Sequence, residues 1–477
     1  MGLEHAVSSG WVFDEDLVFR QYYLGCLSQA SYVIADRGTR RAVVVDPQRD
    51  VAQYVLDAGI AGLRIERVIE THVNADFVSG HLEVAAVTGA AISFSDAAAV
   101  EFPVEFPVEP LADNEILSLG SVTLEIRHAP GHTPESLCIV VCKSPLAAPW
   151  AVLTGDTLLI DNLGRPEVVD DTGWSTEGLA CALYGSIRQR LLTLPDATRV
   201  FPAHGEGWVH GGNLLKGASS TIGEQRRANS GLAAMHEHEF VAAITEAANV
   251  VPWYSAHVAN RNRRNRAVLE ESASVRVMSW PEIDAAMVHG AIVLDTRGPH
   301  DFAAGHLEGS VNVSVGGRFA EMVAQVVCAD ADIMLIVDGS AAEVRNRLAR
   351  IGFDRVMGVA DGLGSVPSDR MRSTTRLNIA QLAALADVRL VDVGEPYEIE
   401  ASGLVPNAVS LPLAALVTRI GELDPAVPTV VYCTGGHRSS TAASVMRACG
   451  FSLVHDVIGG VEAWSSCEGP VQRAAPV

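Results

Sequence analysis

Apolar residues fall into short runs separated by polar and turn-forming segments. In roughly the first half of the chain the runs are SYVIAD, RAVVVDP, RVIETH, TLEIRHAP, LCIVVC, WAVLTGD and RVFPAHG. Short runs rich in β-branched residues predict strands. Several of them end in His or Asp, which places metal-binding residue types on loops over a sheet edge. From Glu224 to about Ser274 the pattern turns helical and polar, and this stretch includes RNRRNR (Arg261 to Arg266).

The second half repeats itself. AIVLDTRGPHDFAAGHLEGSVNV (Ala291 to Val313) is echoed by VRLVDVGEPYEIEASGLVPNAVSL (Val388 to Leu411). Asp295/Asp392 and Pro299/Pro396 stand 97 residues apart, and Gly352/Gly450 stand 98 apart, so two sequential units are predicted. In each, a strand-like run precedes a helical one: IMLIVD before AAEVRNRLARIG, and TVVYC before SSTAASVMRACG. Strand–helix alternation with short connections predicts parallel α/β sheets.

Composition narrows the options. With 477 residues, 48% hydrophobic and 19% charged, the chain can bury several cores and is neither disordered nor fibrous. Its formal charge of -22 repels phosphate backbones, so no nucleic-acid partner is expected. RNRRNR then reads as a solvated helix face or as domain packing. The eight cysteines form no framework spacing and no CxxC pair, which fits a reducing compartment. The start, MGLEHAVSSGW, lacks the basic-then-apolar pattern of a signal peptide, and no apolar run is long enough to span a bilayer. A cytoplasmic protein with no membrane partner is expected.

Four motifs carry the chemistry of the first half: THVNADFVSGH (Thr71 to His81), HAPGHTPES (His128 to Ser136), LTGDTLLID (Leu153 to Asp161) and FPAHGEG (Phe201 to Gly207). Their order and spacing resemble the metallo-β-lactamase superfamily, which implies an αββα sandwich over about residues 15–270. Hydrolases of that superfamily carry HxHxDH and hold two zinc ions. Here the second and last histidines of that motif are Asn74 and Phe77. Phenylalanine cannot ligate, and a neutral amide oxygen matches zinc poorly. The ligand slots reduce to His72, His132 and Asp156, with Asp76 and His204 nearby. Two histidines and one carboxylate suit non-haem Fe(II) with open positions.

This pattern resembles the persulfide dioxygenases, as do QYYLGCLSQASYVI, GRPE (Gly164 to Glu167), ADFVSGH and STIGEQRRAN (Ser220 to Asn229). The resemblance implies one Fe(II) per chain, zinc being the alternative, on His72, His132 and Asp156. It also implies oxidation of a low-molecular-weight persulfide, such as glutathione persulfide, by O2 to sulfite. Asn74 replaces a histidine usual in this branch and is expected to affect rate and metal strength more than binding itself. His128 reads as a strand-end residue, His81 as packing at a helix start, and His210, His236, His238 and His257 as solvated.

The two later units resemble rhodanese domains. The last carries CTGGHRS (Cys433 to Ser439) between a strand and a helix. In such a loop, formed by Cys433, Thr434, Gly435, Gly436, His437, Arg438 and Ser439, backbone N–H groups and the helix N-terminus favour the thiolate that accepts sulfane sulfur. Arg438 would close the loop and hold an anionic acceptor such as sulfite. Gly435 and Gly436 would permit its tight turn, and His437 would tune it or face solvent. Cys26, Cys138, Cys142, Cys181, Cys328, Cys449 and Cys467 read as inert core. This unit has Gly394 and Leu404 where rhodaneses usually carry an arginine and a histidine, residues that brace the sheet end. The middle unit keeps LDTR and GH but holds Asp338 at the cysteine position, so it reads as a pseudo-rhodanese that packs or positions, with Asp338 a strand-end or cap residue.

The expected organisation is a dioxygenase domain at 1–225, a helical extension and linker at 226–271, a pseudo-rhodanese at 272–370 and a rhodanese at 371–477. The expected chemistry ends with Cys433 passing sulfane sulfur to sulfite, giving thiosulfate, in sulfide or persulfide detoxification. A homo-oligomer is also expected. Two other readings fit the residues less well: a zinc-dependent thioester hydrolase of the glyoxalase II kind, and a non-catalytic persulfide carrier or sensor.

Overall fold

The computed structural model describes residues 7–8, 10–98, 103–167, 173–205, 219–246 and 254–467. His210 lies outside them. The chain divides into two compact units, Met1–Glu271 and Ser272–Val477.

All seven predicted runs of the first unit are strands. One sheet orders Leu17–Leu24, Gln29–Asp36, Arg41–Val45, Arg64–Ile69 and Ala91–Ser93, with two short strands beside the first. The other orders Ser220–Thr221, Arg199–Pro202, Ala151–Gly155, Leu137–Cys142, Thr123–His128 and Ile116–Ser118. Alternation along each strand divides the side chains between two layers. Val43, Val45, Ile139 and Leu153 enter the core between the sheets. Ala42 and Val44 face Tyr54 and Ala58 of the helix Ala52–Ile60 and Val84 of the helix His81–Thr88. On the opposite outer face, Cys138, Val140 and Val152 pack with Leu183 of the helix Thr176–Ser186. The result is an αββα sandwich. Strands covered on both faces need apolar residues throughout, which explains uninterrupted runs such as LCIVVC.

Residues 226–271 belong to this first unit. The RNRRNR segment is packing rather than an open basic patch. Asn262, in the helix Ser255–Arg263, is 1% exposed, and Arg266 is also buried. Arg266 Nη2 donates to Glu83 Oε2 at 2.9 Å and to the Ser79 carbonyl at 2.6 Å, while Nη1 pairs with Glu83 Oε1. Arg49 Nε and the Leu269 N–H also donate to Glu83 Oε1, each at 3.1 Å. One buried carboxylate thus ties the sandwich to the end of the helical extension.

The second unit holds two five-stranded parallel sheets of the same topology. The first orders Val277–Met278, Val356–Ala360, Ile333–Ile336, Ile292–Asp295 and Val311–Asn312. The second orders Arg376–Leu377, Val454–Val457, Thr429–Tyr432, Arg389–Asp392 and Val409–Ser410. The repeated residues stand at equivalent places. Asp295 and Asp392 end strands, and Pro299 and Pro396 open helices, where a missing N–H costs nothing. Arg297 forks onto Asp295 at 2.9 and 2.6 Å and reaches the Gly305 carbonyl at 2.8 Å. At the matching place Gly394 has only its N–H, donated to Asp392 Oδ1 at 2.8 Å.

Three expectations need correction here. Cys181, Cys328, Cys449 and Cys467 are exposed rather than core, whereas Cys26 and Cys138 are buried and Cys142 is half-buried. Asp338 caps nothing: it is exposed, two residues beyond the strand Ile333–Ile336, and Ser340 caps the following helix by accepting from the Glu343 N–H. Of the two loop glycines, Gly436 alone takes a left-handed conformation, φ +85°.

The Glu83 cluster has a measurable consequence. Burial raises the Glu83 carboxyl, but Arg266 and Arg49 outweigh it and hold it below its ordinary value of 4.5. Glu83→Gln strands two buried arginines and is expected to cost roughly 3–5 kcal/mol in urea unfolding. Because the folded-state carboxyl is depressed, its contribution is complete above the ordinary value and is lost as pH falls through the folded value. The wild-type advantage over the variant is therefore expected to shrink below about pH 4.5.

Candidate metal and sulfur sites

His72, His132, Asp156 and His204 each follow the C-terminal end of a strand, namely Arg64–Ile69, Thr123–His128, Ala151–Gly155 and Arg199–Pro202. Gly155 makes the approach possible: at φ +51°, a Cβ there would stand 2.8 Å from Thr71 Oγ1. One ligand atom each from His72, His132 and Asp156 lie within 4.8 Å of one another, all three residues buried. His72 Nε2 is 3.7 Å and His132 Nε2 is 3.6 Å from Asp156 Oδ2.

Hydrogen bonds fix the tautomers. Asp46, in a left-handed conformation at φ 47°, accepts from the Thr71 N–H at 2.7 Å and from Thr71 Oγ1 at 2.8 Å. With its proton so engaged, Thr71 Oγ1 accepts from His72 Nδ1–H at 3.0 Å. His132 Nδ1–H donates to the Arg165 carbonyl at 2.6 Å. Both Nε2 atoms are left facing the carboxylate, the arrangement a metal ion requires. Burial pushes His72 down to about 4, so it stays neutral at pH 7.

His204 is held differently. Its Nδ1 lies 2.9 and 2.8 Å from the two Asp156 oxygens, and its Nε2 lies 2.8 Å from Asp76 Oδ2. Burial opposes its charge, but Asp156 and Asp76 outweigh burial and raise it well above the ordinary histidine range. Burial would likewise raise Asp156, yet His204, His72 and His132 hold it below the usual carboxylate range. Asp76 and His204 thus engage each other, and the Phe77 ring lies 6.1 Å from that of His204. Asn74 is buried and turns its Nδ2 toward Glu70 Oε2 at 3.4 Å. His81 opens its helix fully buried, with Nδ1 3.2 Å from Glu70 Oε1.

Several residues of this site escaped sequence reasoning. Glu135 Oε1 accepts from the Val73 N–H at 2.8 Å, steadying the loop between His72 and Asn74. Glu167 Oε2 lies 3.6 Å from His132 Nε2, on its metal-facing side. Asn262 Nδ2 donates to the Asn74 and Phe77 carbonyls, both at 2.8 Å, while its Oδ1 accepts from the Ser79 N–H at 2.8 Å. Each lies inside a quoted segment, Glu135 in HAPGHTPES, Glu167 in GRPE and Asn262 in RNRRNR, as Asp46 ends a strand-like run, but nothing in those segments marked its role.

In the last sheet Cys433 follows the strand Thr429–Tyr432 and is 1% exposed. Its Sγ accepts from the Gly436 N–H at 3.2 Å. The helix Arg438–Ala448 begins directly after the loop. The Val461 and Glu462 N–H groups donate to the Cys433 and Thr434 carbonyls, pinning the loop from outside. His437 faces solvent, and Ser439 is fully buried. Arg438, expected to stand ready for an anion, instead pairs with Glu398 at 2.6 and 2.7 Å.

Residues 24–204 match the metallo-beta-lactamase superfamily model, and residues 378–467 match the rhodanese-like domain model. The chain is therefore a metallo-beta-lactamase domain with a rhodanese-like domain at its C-terminal side. It is 32% identical over 217 residues to the mitochondrial persulfide dioxygenase ETHE1 of Bos taurus, covering 44% of this chain and 74% of that one. To the Homo sapiens protein of the same name it is 30% identical over 231 residues, covering 47% and 79%. The crystal structure of a metallo-beta-lactamase from Staphylococcus aureus subsp. aureus COL matches with a TM-score of 0.65 and 26% identity, covering 72% of this chain and 99% of that one. The chain belongs to the persulfide dioxygenase family of the metallo-beta-lactamase superfamily. No helix among the described residues is long and apolar enough to cross a membrane.

Asn262 should matter to the metal loop. Asn262→Ala leaves two carbonyls and one N–H of residues 74–79 without partners. Metal affinity, read by chelator competition, is expected to fall by roughly 10- to 100-fold, as for other supports behind metal ligands.

Proposed function

We propose that the first unit oxidises a low-molecular-weight persulfide, such as glutathione persulfide, with O2, and that the last domain carries sulfane sulfur on Cys433. The convergence of two imidazoles on one buried carboxylate carries this reading. Among the described residues that group has three members. Where hydrolases of the fold hold a second metal, Phe77 offers no ligand, and Asp76 and His204 contact each other. A set of two histidines and one carboxylate suits one Fe(II) ion.

His72, His132 and Asp156 would hold the iron, which when bound supplies the redox chemistry that activates O2 toward sulfur. Thr71 and the Arg165 carbonyl keep the two imidazoles in the ligating tautomer. His204 keeps Asp156 ionised and oriented. Overall, O2 contributes two oxygens and water a third to the terminal sulfur, which leaves as sulfite while the carrier is released as a thiol. The buried Cys433 loop receives sulfane sulfur from a second persulfide. Sulfite attacking that sulfur would yield thiosulfate, and the covalent link between the domains raises the local sulfite concentration. Residues 272–370, with Asp338 in place of a nucleophile, support the transfer by position alone. Removal of sulfide and persulfide in the cytoplasm is the matching physiological role.

Anaerobically prepared protein is expected to contain about one iron per chain and to consume O2 with glutathione persulfide while forming sulfite. His72→Ala should abolish both metal retention and uptake. Two zinc ions per chain with no oxygen uptake would overturn the reading.

A further inference from the structure

The loop around Cys433 carries less positive charge than the motif CTGGHRS suggests. Arg438 presents its two terminal nitrogens to the two oxygens of Glu398, at 2.6 and 2.7 Å. The carboxylate is held in place for this role: Glu398 Oε2 also accepts the Glu395 N–H at 2.8 Å, in a capping box at the start of the helix Pro396–Ser402. Arg438 further donates to Thr434 Oγ1 at 3.4 Å. The other arginine at the loop, Arg376, donates to the Gly436 carbonyl at 2.9 Å but is paired with Asp456 at 2.7 Å. Glu395 acts on Arg438 electrostatically, and the Glu462 carboxylate comes within 3.9 Å of where a Cβ on Gly435 would stand. Four carboxylates therefore surround two arginines. Gly394 leaves no third arginine where the middle domain has Arg297.

We propose that Glu398 determines the acceptor specificity of the Cys433 site: by occupying both terminal nitrogens of Arg438, it makes the loop favour an uncharged or cationic thiol over sulfite. This rests on the reading of Cys433 as the sulfur carrier, and it makes sulfite the slower of two acceptors, with thiosulfate the minor product. In the transfer, the acceptor sulfur attacks the outer sulfur of the Cys433 persulfide. A new S–S bond forms, the bond to Cys433 breaks, and its electron pair returns to Sγ as the thiolate. Sulfite attacks in the same way and leaves as thiosulfate, so both routes balance without a further oxidant or reductant. The acceptors differ in charge. A thiol gives up its proton to water and attacks as a singly charged thiolate, whereas sulfite brings two negative charges, so a mouth with excess carboxylates repels sulfite more strongly.

The test is a single-turnover discharge on the full chain without oxygen. Cys433 is loaded with inorganic polysulfide, excess donor is removed, and cyanide-releasable sulfur is followed after adding sulfite, 2-mercaptoethanol or cysteamine. Glu398→Gln is expected to speed sulfite discharge about tenfold and to change 2-mercaptoethanol discharge by less than about twofold. In the wild type, added salt should accelerate discharge by sulfite more than discharge by 2-mercaptoethanol, a measurement that stands even where the variant does not fold. Equal changes for both acceptors in Glu398→Gln, or a sulfite rate that falls with salt, would overturn the proposal. Failure of the carrier reading looks different: no releasable sulfur that Cys433→Ser removes, with any acceptor, which overturns both.

Discussion

Asp156 buries a full negative charge at the meeting point of two sheets, and the first unit is arranged to keep it charged. An isolated carboxylate in such a place would take up a proton. Here His204 contacts both oxygens, and His72 and His132 bring two Nε2 atoms toward one of them. His204 is itself held between Asp156 and Asp76. Burial leaves His72 neutral, and together His72, His132 and Asp156 form a donor set that could hold one metal ion. Phe77, beside His204, adds no ligand to it.

Holding three strand-end loops in register demands support from behind. Part of it is local, from Asp46 on Thr71 and Glu135 on Val73. The rest comes from the helical extension, whose Asn262 satisfies three backbone groups of the loop while Arg266 locks the same region through Glu83. The extension is thus structurally part of the sandwich. Polar groups buried with all their partners rigidify a site, whereas the same groups left unpaired would destabilise it.

The sequence made the layers and the ligands legible because each rests on local pattern. Strands covered on both faces show as unbroken apolar runs. The strand Leu17–Leu24 escaped notice because Arg20 and Gln21 interrupt its apolar positions. The candidate ligands were visible because strand-end His and Asp recur in the order of the metallo-beta-lactamase motifs. The supports were not, since a side chain such as Asn262 lies 183 to 188 residues from its partners and nothing local marks it. The same applies to Glu398 and Arg438, brought together by sheet order across 40 residues. Cysteine identity alone says nothing about which face a helix buries, so four surface thiols read as core.

The two domains of the second unit differ in complementary ways. The last has the Cys433 loop but lacks the arginine that would brace its sheet end. The middle has Asp338 in place of a cysteine but keeps that brace, Arg297 on Asp295. Asn312 connects them. Its Nδ2 donates to the Asp295 and Arg297 carbonyls at 3.0 Å each, its Oδ1 accepts from Ser440 Oγ at 3.0 Å, and its N–H donates to Ser444 Oγ at 2.9 Å. Ser440 and Ser444 lie on the helix that begins directly after the Cys433 loop, and that helix is buried from Ser439 to Met446. The Asn312 side-chain amide is thus tied by its nitrogen to the end of the braced strand and by its oxygen to the helix after the Cys433 loop. The middle domain, which has Asp338 where its neighbour has Cys433, thus holds in place the helix that follows the Cys433 loop.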